Sequence, residues 1–196
     1  ESLDESGEDL SAFIGFAQFL LSLQRRERPQ SGAVAMDNSL FTGFRHALSP
    51  EYKSNRELPD DSLARQLDFC ARAADAFGWP VYASTRYEAD DIIATLASKF
   101  AAKGIEVTVV TGDKDLMQIV SDRVCLLDTM KDKISGPAEV FERFGGADKV
   151  VEVQALAGDS SDNVPGVPGI GEKTAKALID EFGDVETLLA SLDQLK

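Results

Sequence analysis

The stretch from Ile105 to Asp115 constrains this chain most. Val107-Thr108-Val109-Val110 is a β-branched run that breaks at Thr111-Gly112 and delivers Asp113 and Asp115. β-Branched side chains are stiff in a helix and sit well on a pleated surface, so the run reads as a strand. Short, continuously apolar and bounded by glycine, it reads as a strand covered on both faces, as in parallel sheets. Ligands of open α/β sheets gather beyond the carboxyl ends of such strands, where these two acids stand. The pentapeptide Thr111 to Asp115 is equally compatible with a solvated turn in which Asp113 caps a helix from Lys114 to Val120. The other acids of the chain must decide between them.

The pattern recurs. Gly32 to Met36 is a short apolar run that ends at Asp37, Pro80 to Ala83 is a further strand, and Val124 to Leu127 leads to Asp128. Ile134 marks the last extended piece. Between these lie helical stripes. Leu10 to Leu23 is expected to bury Phe13, Phe16, Ala17, Leu20 and Leu21, with Arg25 and Arg26 closing the helix favourably for its dipole. Pro59-Asp60-Asp61 opens a helix with the stripe Leu63, Leu67, Cys70, Ala74 and Phe77, which stops at Gly78. Tyr87-Glu88-Ala89-Asp90-Asp91 starts another, running to about Ala102 with Ala89, Ile92, Ile93, Leu96, Ala97 and Phe100 inward. Alternating strands and helices predict an α/β fold with a mostly parallel sheet flanked by helices. Glu88, Asp90 and Asp91 crowd one helical turn, where like charges repel unless a cation sits among them.

Two segments break this alternation. From Asn38 to Pro59 the periodicity is lost, and Phe41, Phe44, Arg45, His46, Tyr52, Lys53 and Arg56 interleave rings with cations. Such a segment suits a phosphate backbone and stacking on a base, and loops of this length are uncommon unless functional or disordered. His46 reads as a surface or hydrogen-bonding residue. After Ile134 the architecture turns helical, with Pro137 to Phe144, Ala147 to Ala157, Glu172 to Phe182 and a last helix carrying Val185, Leu188, Leu189 and Leu192. Between the second and third of these, Gly166, Gly169 and Gly171 put open backbone amides before a helix N-terminus, an arrangement that grips phosphate. Lys173 and Lys176 add charge, and Asp159 and Asp162 stand just before the glycines. The expected division is an α/β domain over 1–133, with a segment at about 38–59 set apart, and a helical subdomain over 134–196.

Composition narrows the remaining classes. The 196 residues suffice for a sizeable core without staples, and Cys70 and Cys125 form no CxxC pair, so both are expected to be reduced, buried thiols in a cytoplasmic protein. With one histidine, no zinc cluster of the usual spacing can form. The most apolar run, Ala12 to Leu23, is shorter than the ~20 residues of a bilayer span, so no membrane partner is expected. A formal charge of −14 argues at first sight against nucleic acid. If eight of the 34 acids hold metal, however, 26 remain against 20 bases.

With these pieces assembled, the chain resembles the 5′-3′ exonuclease and flap endonuclease family, in the form found as the N-terminal 5′-nuclease domain of bacterial DNA polymerase I. The resemblance rests on AVAMD at 33–37, FRHALSPEYKSNR at 44–56, YEADDIIATLA at 87–97, TGDKDLMQIVSD at 111–122 and GDSSDNVPGVPGIGEKTA at 158–175. It implies a PIN-like nuclease fold and a Mg²⁺- or Mn²⁺-dependent phosphodiesterase of replication and repair that cuts branched or 5′-ended DNA. Asp37, Glu88, Asp90 and Asp113 or Asp115 would form the tighter metal site, with Asp91, Asp159 and Asp162 helping to hold a second ion. Two such ions ~4 Å apart can activate water, clamp the phosphate and stabilise the leaving oxygen. The resemblance makes 44–56 part of a helical arch in which Lys53 and Arg56 contact the scissile phosphate, Arg45 binds DNA and Tyr52 stacks on a base. It makes Gly166, Gly169, Gly171, Lys173 and Lys176 a duplex-binding helix-hairpin-helix, with a K⁺ ion bridging carbonyls and a DNA phosphate. A monomer, or part of a larger polymerase chain, is expected.

One departure is at the front. The family opens with an apolar strand ending in Asp-Gly, whereas ESLDESGEDL has no such run around Asp4 or Asp9. The chain also starts at Glu1 rather than methionine, so either a fragment or processed form, or a reduced member with an altered metal site, is expected. Loss of the strand would expose two sheet edges. Alternatives to the nuclease are a catalytically silent DNA-binding module and a Mg²⁺-dependent small-molecule phosphohydrolase, the latter leaving the hairpin without a role.

Overall fold

The computed structural model describes Leu3 and residues 7–194, so Asp4 lies outside the described residues. The chain divides into two compact units, one of Glu1–Leu48 and Arg56–Ile92, the other of Ser49–Asn55 and Ile93–Lys196.

The first unit contains α1 (Ser11–Glu27), β1 (Val34–Asp37), α2 (Phe44–Leu48), α3 (Asp61–Ala76), β2 (Val81–Ser84) and the first turn of α4 (Ala89–Ala101). Strands β1 and β2 pair in parallel, Val34 opposite Val81 and Asp37 opposite Ser84. A parallel pair needs a long crossover, which α3 supplies. Asp60 caps α3, its carboxylate accepting from the Leu63 amide at 2.8 Å. No side chain of the preceding residue, Leu10, caps α1. Its first amide, Ser11 N, donates to Asp9 Oδ1 at 2.9 Å, and the next two are satisfied from α3, where Gln66 Oε1 accepts from Ala12 N at 2.9 Å and Phe13 N at 3.3 Å.

That bond alters the expected stripes. Gln66 is buried with Cys70 and Ala74, whereas Leu63 and Leu67 are 40% and 38% exposed. On α1, Leu20 and Leu23 are buried, but Leu21, about 100° round the helix from Leu20, is 46% exposed. The helix also runs on to Glu27, ending at Arg28 in the left-handed region at φ 47°.

The second unit contains β3 (Val107–Val110), a 3-10 turn at Lys114–Ile119, β4 (Val124–Asp128) and β5 (Lys133–Ser135), then α5 (Pro137–Phe144), α6 (Val150–Ala157), α7 (Glu172–Phe182) and α8 (Val185–Ala190). β4 pairs in parallel with β3 and antiparallel with β5. The core lies between this sheet and the helices, with Val140, Phe144, Val150, Val153, Ala175 and Ile179 at 0–1% exposure. Val150 and Val153 show why the β-branched α6 is helical: burial outweighs its weak propensity.

Three expectations are corrected in this unit. β3 is not covered on both faces: Val109 is buried on one and Thr108 is exposed on the other. The helix expected from Lys114 is a 3-10 turn closed by the Val120 amide on the Met117 carbonyl. Cys125 is half-buried rather than buried, while Cys70 is buried; both are free thiols. Among the described residues, no helix is long and apolar enough to cross a membrane.

Candidate functional site

In the first unit the acids stand at a strand end and a helix start. Asp37 closes β1, and its Oδ1 accepts from the amide and hydroxyl of buried Ser39 at 3.0 and 2.7 Å. After β2, Ser84 Oγ accepts from the amides of Arg86 and Tyr87, each at 3.1 Å, and this turn delivers Glu88, 4% exposed, to the start of α4. Asp91 Oδ2 accepts from the Glu88 amide at 3.0 Å, as an acid in the first helical turn should. The cation that crowded acids require is Arg45. Its Nη1 and Nη2 donate to Asp91 Oδ2 and Oδ1 at 2.7 and 2.8 Å, and Nη1 lies 3.6 Å from Glu88 Oε2. The guanidinium also rests 4.7 Å above the Phe44 ring. Arg45 and Glu88 thereby join in one ion-paired group with Asp91. Asp90 is half-buried on the same turn, and Arg56 is exposed. His46 is half-buried, its ring 5.7 Å from Phe41.

In the second unit, β3 releases the chain at Thr111, and Asp113 does cap the 3-10 turn, its Oδ1 accepting from the Asp115 amide at 2.8 Å. Lys114 then reaches between two acids. Its Nζ donates to Asp115 Oδ1 at 2.8 Å and to Asp159 Oδ2 at 2.6 Å. Gln154 Nε2, from α6, donates to the same Asp115 oxygen. Burial opposes the charge on Lys114, yet its hydrogen bonds to Asp115 and Asp159 and their charges outweigh that and raise its pKa above the ordinary value. Hydrogen bonds from Lys114 and then from Ser161 hold Asp159 down at about 2.

Asp162, three residues on, meets the segment Ser49–Asn55. Tyr52 Oη donates to Asp162 Oδ2 at 3.2 Å, and Lys53 Nζ lies 3.8 Å from the same oxygen. The Lys53 amide donates to the Asp162 carbonyl at 2.8 Å, and Asn163 Nδ2 donates to the Glu51 carbonyl at 2.8 Å and to Ser54 Oγ at 3.0 Å. Lys53 is 5% exposed, with positive φ. Among the described residues, no three carboxylate, imidazole or thiol groups meet as a ready metal centre.

The glycines of the hairpin differ in purpose. Gly158, at φ +71°, and Gly166 cross so closely that a Cβ on Gly158 would lie 2.3 Å from Gly166 N, and one on Gly166 would lie 2.3 Å from Ala157 O. Gly169 and Gly171 have nothing within 4 Å of an added Cβ, and Gly171 precedes the first turn of α7. Lys173 is exposed; Lys176 pairs with Asp180.

Sequence reasoning had passed over Lys114, Gln154 and Ser39. A lysine flanked by two acids in TGDKD is a local sign of the first. No local sign exists for Gln154, which is 39 residues from Asp115.

Two family descriptions together match residues 2–196: "5'-3' exonuclease, N-terminal resolvase-like domain" over residues 2–145 and "5'-3' exonuclease, C-terminal SAM fold" over residues 146–196. Among curated proteins, the chain is 43% identical to DNA polymerase I of Rhizobium leguminosarum, over 97% of this chain and 19% of that protein. It is 39% identical to DNA polymerase I of Bacillus subtilis (strain 168), over 98% of this chain and 22% of that protein. The chain thus spans about a fifth of these relatives' length. Among solved structures, the T5 D15 protein co-crystallised with metal ions superposes with a TM-score of 0.76 at 22% identity, over 91% of this chain and 71% of that one. A variant of the bacteriophage T5 flap endonuclease, in a pseudo-enzyme-product complex with DNA and metal ions, gives a TM-score of 0.75 at 22% identity, over 92% and 70%. The fold described above is therefore that of the T5 protein.

Proposed function

Because this chain belongs to the 5′-3′ exonuclease family and is homologous to the 5′-nuclease region of DNA polymerase I, we propose that it is a divalent-metal-dependent nuclease that cuts DNA at 5′ flaps and 5′ ends. The observation that carries the reading is the placement of its acids. They lie at the end of β1, at the start of α4, after β3 and in the loop after α6, in the two units alike.

The donors fit a hard divalent cation. All are carboxylate oxygens, and one pair, Asp115 and Asp159, already converges on a cation, the Lys114 ammonium. Asp37, Glu88, Asp90 and Asp91 in the first unit, and Asp113, Asp115, Asp159 and Asp162 in the second, are the residues that would hold Mg²⁺ or Mn²⁺. Bound there, the ions supply the positive charge that a phosphodiester needs as it is displaced.

The chain's own residues do the rest. Arg45 and Lys53, held on Asp91 and Asp162 in the free chain, are cations that a DNA phosphate would compete for, with carboxylates standing in for phosphate oxygens. Arg56, which is exposed, would contact the DNA backbone, Lys53 would do so once released from Asp162, and Tyr52 would offer its ring to a base. Gly169 and Gly171 leave backbone open to a duplex, with Lys173 and Lys176 on the following turn, and the hairpin carbonyls would take K⁺. Gly166 would serve the same surface by letting the hairpin close. Backbone contacts of this kind orient a duplex without reading its sequence. The role that goes with this reading is in DNA replication and repair.

The test is an end-labelled 5′-flap duplex incubated with the chain in Mg²⁺, with EDTA and Asp113→Asn as controls. Cleavage near the junction that both controls abolish is the expected result. Tight flap binding with no product would replace the nuclease by a DNA-binding module.

A further inference from the structure

The acids of the second unit are not waiting empty: an ammonium of the chain itself occupies the point on which two of them converge. Lys114 Nζ sits 2.8 Å from Asp115 Oδ1 and 2.6 Å from Asp159 Oδ2, tying the 3-10 turn after β3 to the loop after α6. Each partner has a further donor, Gln154 Nε2 on Asp115 Oδ1 and the amide and hydroxyl of Ser161 on Asp159 Oδ1. The Lys114 side chain is 32% exposed, so it has a route out to solvent.

We propose that Lys114 is an internal counter-ion that preserves the Asp115–Asp159 pair in the metal-free chain and must swing away before a divalent ion can bind there. This rests on the metal-dependent reading above. A divalent ion held by Asp115 and Asp159 would need the place that the ammonium occupies between them. An ammonium left within a few ångströms of a divalent ion would be repelled by it. A lysine on a flexible four-carbon stem can leave. Lys114 is then a positioning residue that sets metal affinity: it keeps two repelling carboxylates in place while lowering the net gain from metal entry.

The test uses Mn²⁺ as the probe, titrated calorimetrically into the metal-free chain, with thermal melts in EDTA alongside. Lys114→Gln, which removes the competing charge, is expected to bind Mn²⁺ about tenfold more tightly than the unaltered chain. Its metal-free melting midpoint is expected to fall. Lys114→Arg, which keeps the charge, is expected to retain the original affinity. Unchanged or weaker Mn²⁺ binding by Lys114→Gln overturns the inference.

A second measurement needs no variant. Acylation of lysines in the unaltered chain, read by mass spectrometry, is expected to modify Lys114 several-fold faster when Mn²⁺ is added, and an unchanged rate overturns the inference. Asp159→Asn separates the two levels. If it loses Mn²⁺ binding while Lys114→Gln binds as the unaltered chain does, the counter-ion falls and the metal site stands. If the unaltered chain and Asp159→Asn give the same isotherm, the metal reading falls at this pair and the counter-ion with it.

Discussion

Gly158 and Gly171 bracket the same hairpin and differ in what one methyl group would meet. At Gly158 the added carbon would lie 2.3 Å from Gly166 N and 2.7 Å from its Cα, at a positive φ that disfavours any side chain. The obstacle is backbone, which cannot rotate aside as a side chain can. Gly158→Ala is therefore expected to destabilise the chain by about 3 kcal/mol. Gly171, at φ −92° with open space around it, is expected to lose no more than about 1 kcal/mol on replacement by alanine, the cost of a poorer N-cap for α7. Urea denaturation of the two variants checks this, and equal midpoints would refute the crossing as the reason for Gly158. The same scale explains the acids: each gains its meaning from a neighbouring donor, Ser39 for Asp37, Arg45 for Asp91 and Lys114 for Asp159.

At the scale of the element, capping acids make parts of the second unit sensitive to acid. Asp184 caps α8 by accepting from the Thr187 amide at 2.7 Å, and that bond, followed by one with the Thr187 side chain, lowers its pKa below the ordinary value. Glu139 does the same for α5, lowered first by the Gly136 amide at 2.8 Å. A carboxylate with a depressed pKa in the folded state contributes stability above its unfolded value of 3.8 for Asp or 4.5 for Glu. The contribution is lost as pH falls through the lower folded value. Asparagine caps without titrating. The difference in melting midpoint between the unaltered chain and Asp184→Asn should therefore move against the unaltered chain between about pH 5 and about pH 3. A difference that stays constant with pH would show that the Asp184 charge contributes nothing.

Over the whole molecule, apolar burial is unevenly divided. Of the buried apolar residues described, Leu20, Leu23, Cys70 and Ala74 belong to the first unit and sixteen, from Ala97 to Leu188, to the second. Local opening follows local burial, so amide exchange should be slower in β4, α6 and α7 than in β1 and β2. Phe144, with no exposed surface, is the largest fully buried side chain among the described residues. Phe144→Ala should cost about 3–5 kcal/mol and accelerate exchange across the second unit. Faster exchange confined to β1 and β2 would contradict this division of the core.

Most of the elements were legible in the sequence because they are written in local patterns. Val107 to Val110, Gly32 to Met36 and Val124 to Leu127 are short runs closed by glycine or acid, and Pro137 to Phe144 and Glu172 to Phe182 emerge with the bounds read from their stripes. The acids at strand ends and the hairpin glycines could be named for the same reason, since each is set by the few residues beside it. What only the tertiary structure decided is which partner each polar group takes. Arg45 and Asp91 are 46 residues apart, Lys114 and Asp159 are 45, Tyr52 and Asp162 are 110, and Gln66 lies 54 residues from the amide of α1 that it satisfies. Charge pairing and hydrogen bonding depend on distances of a few ångströms, and no local periodicity encodes which distant segments come that close.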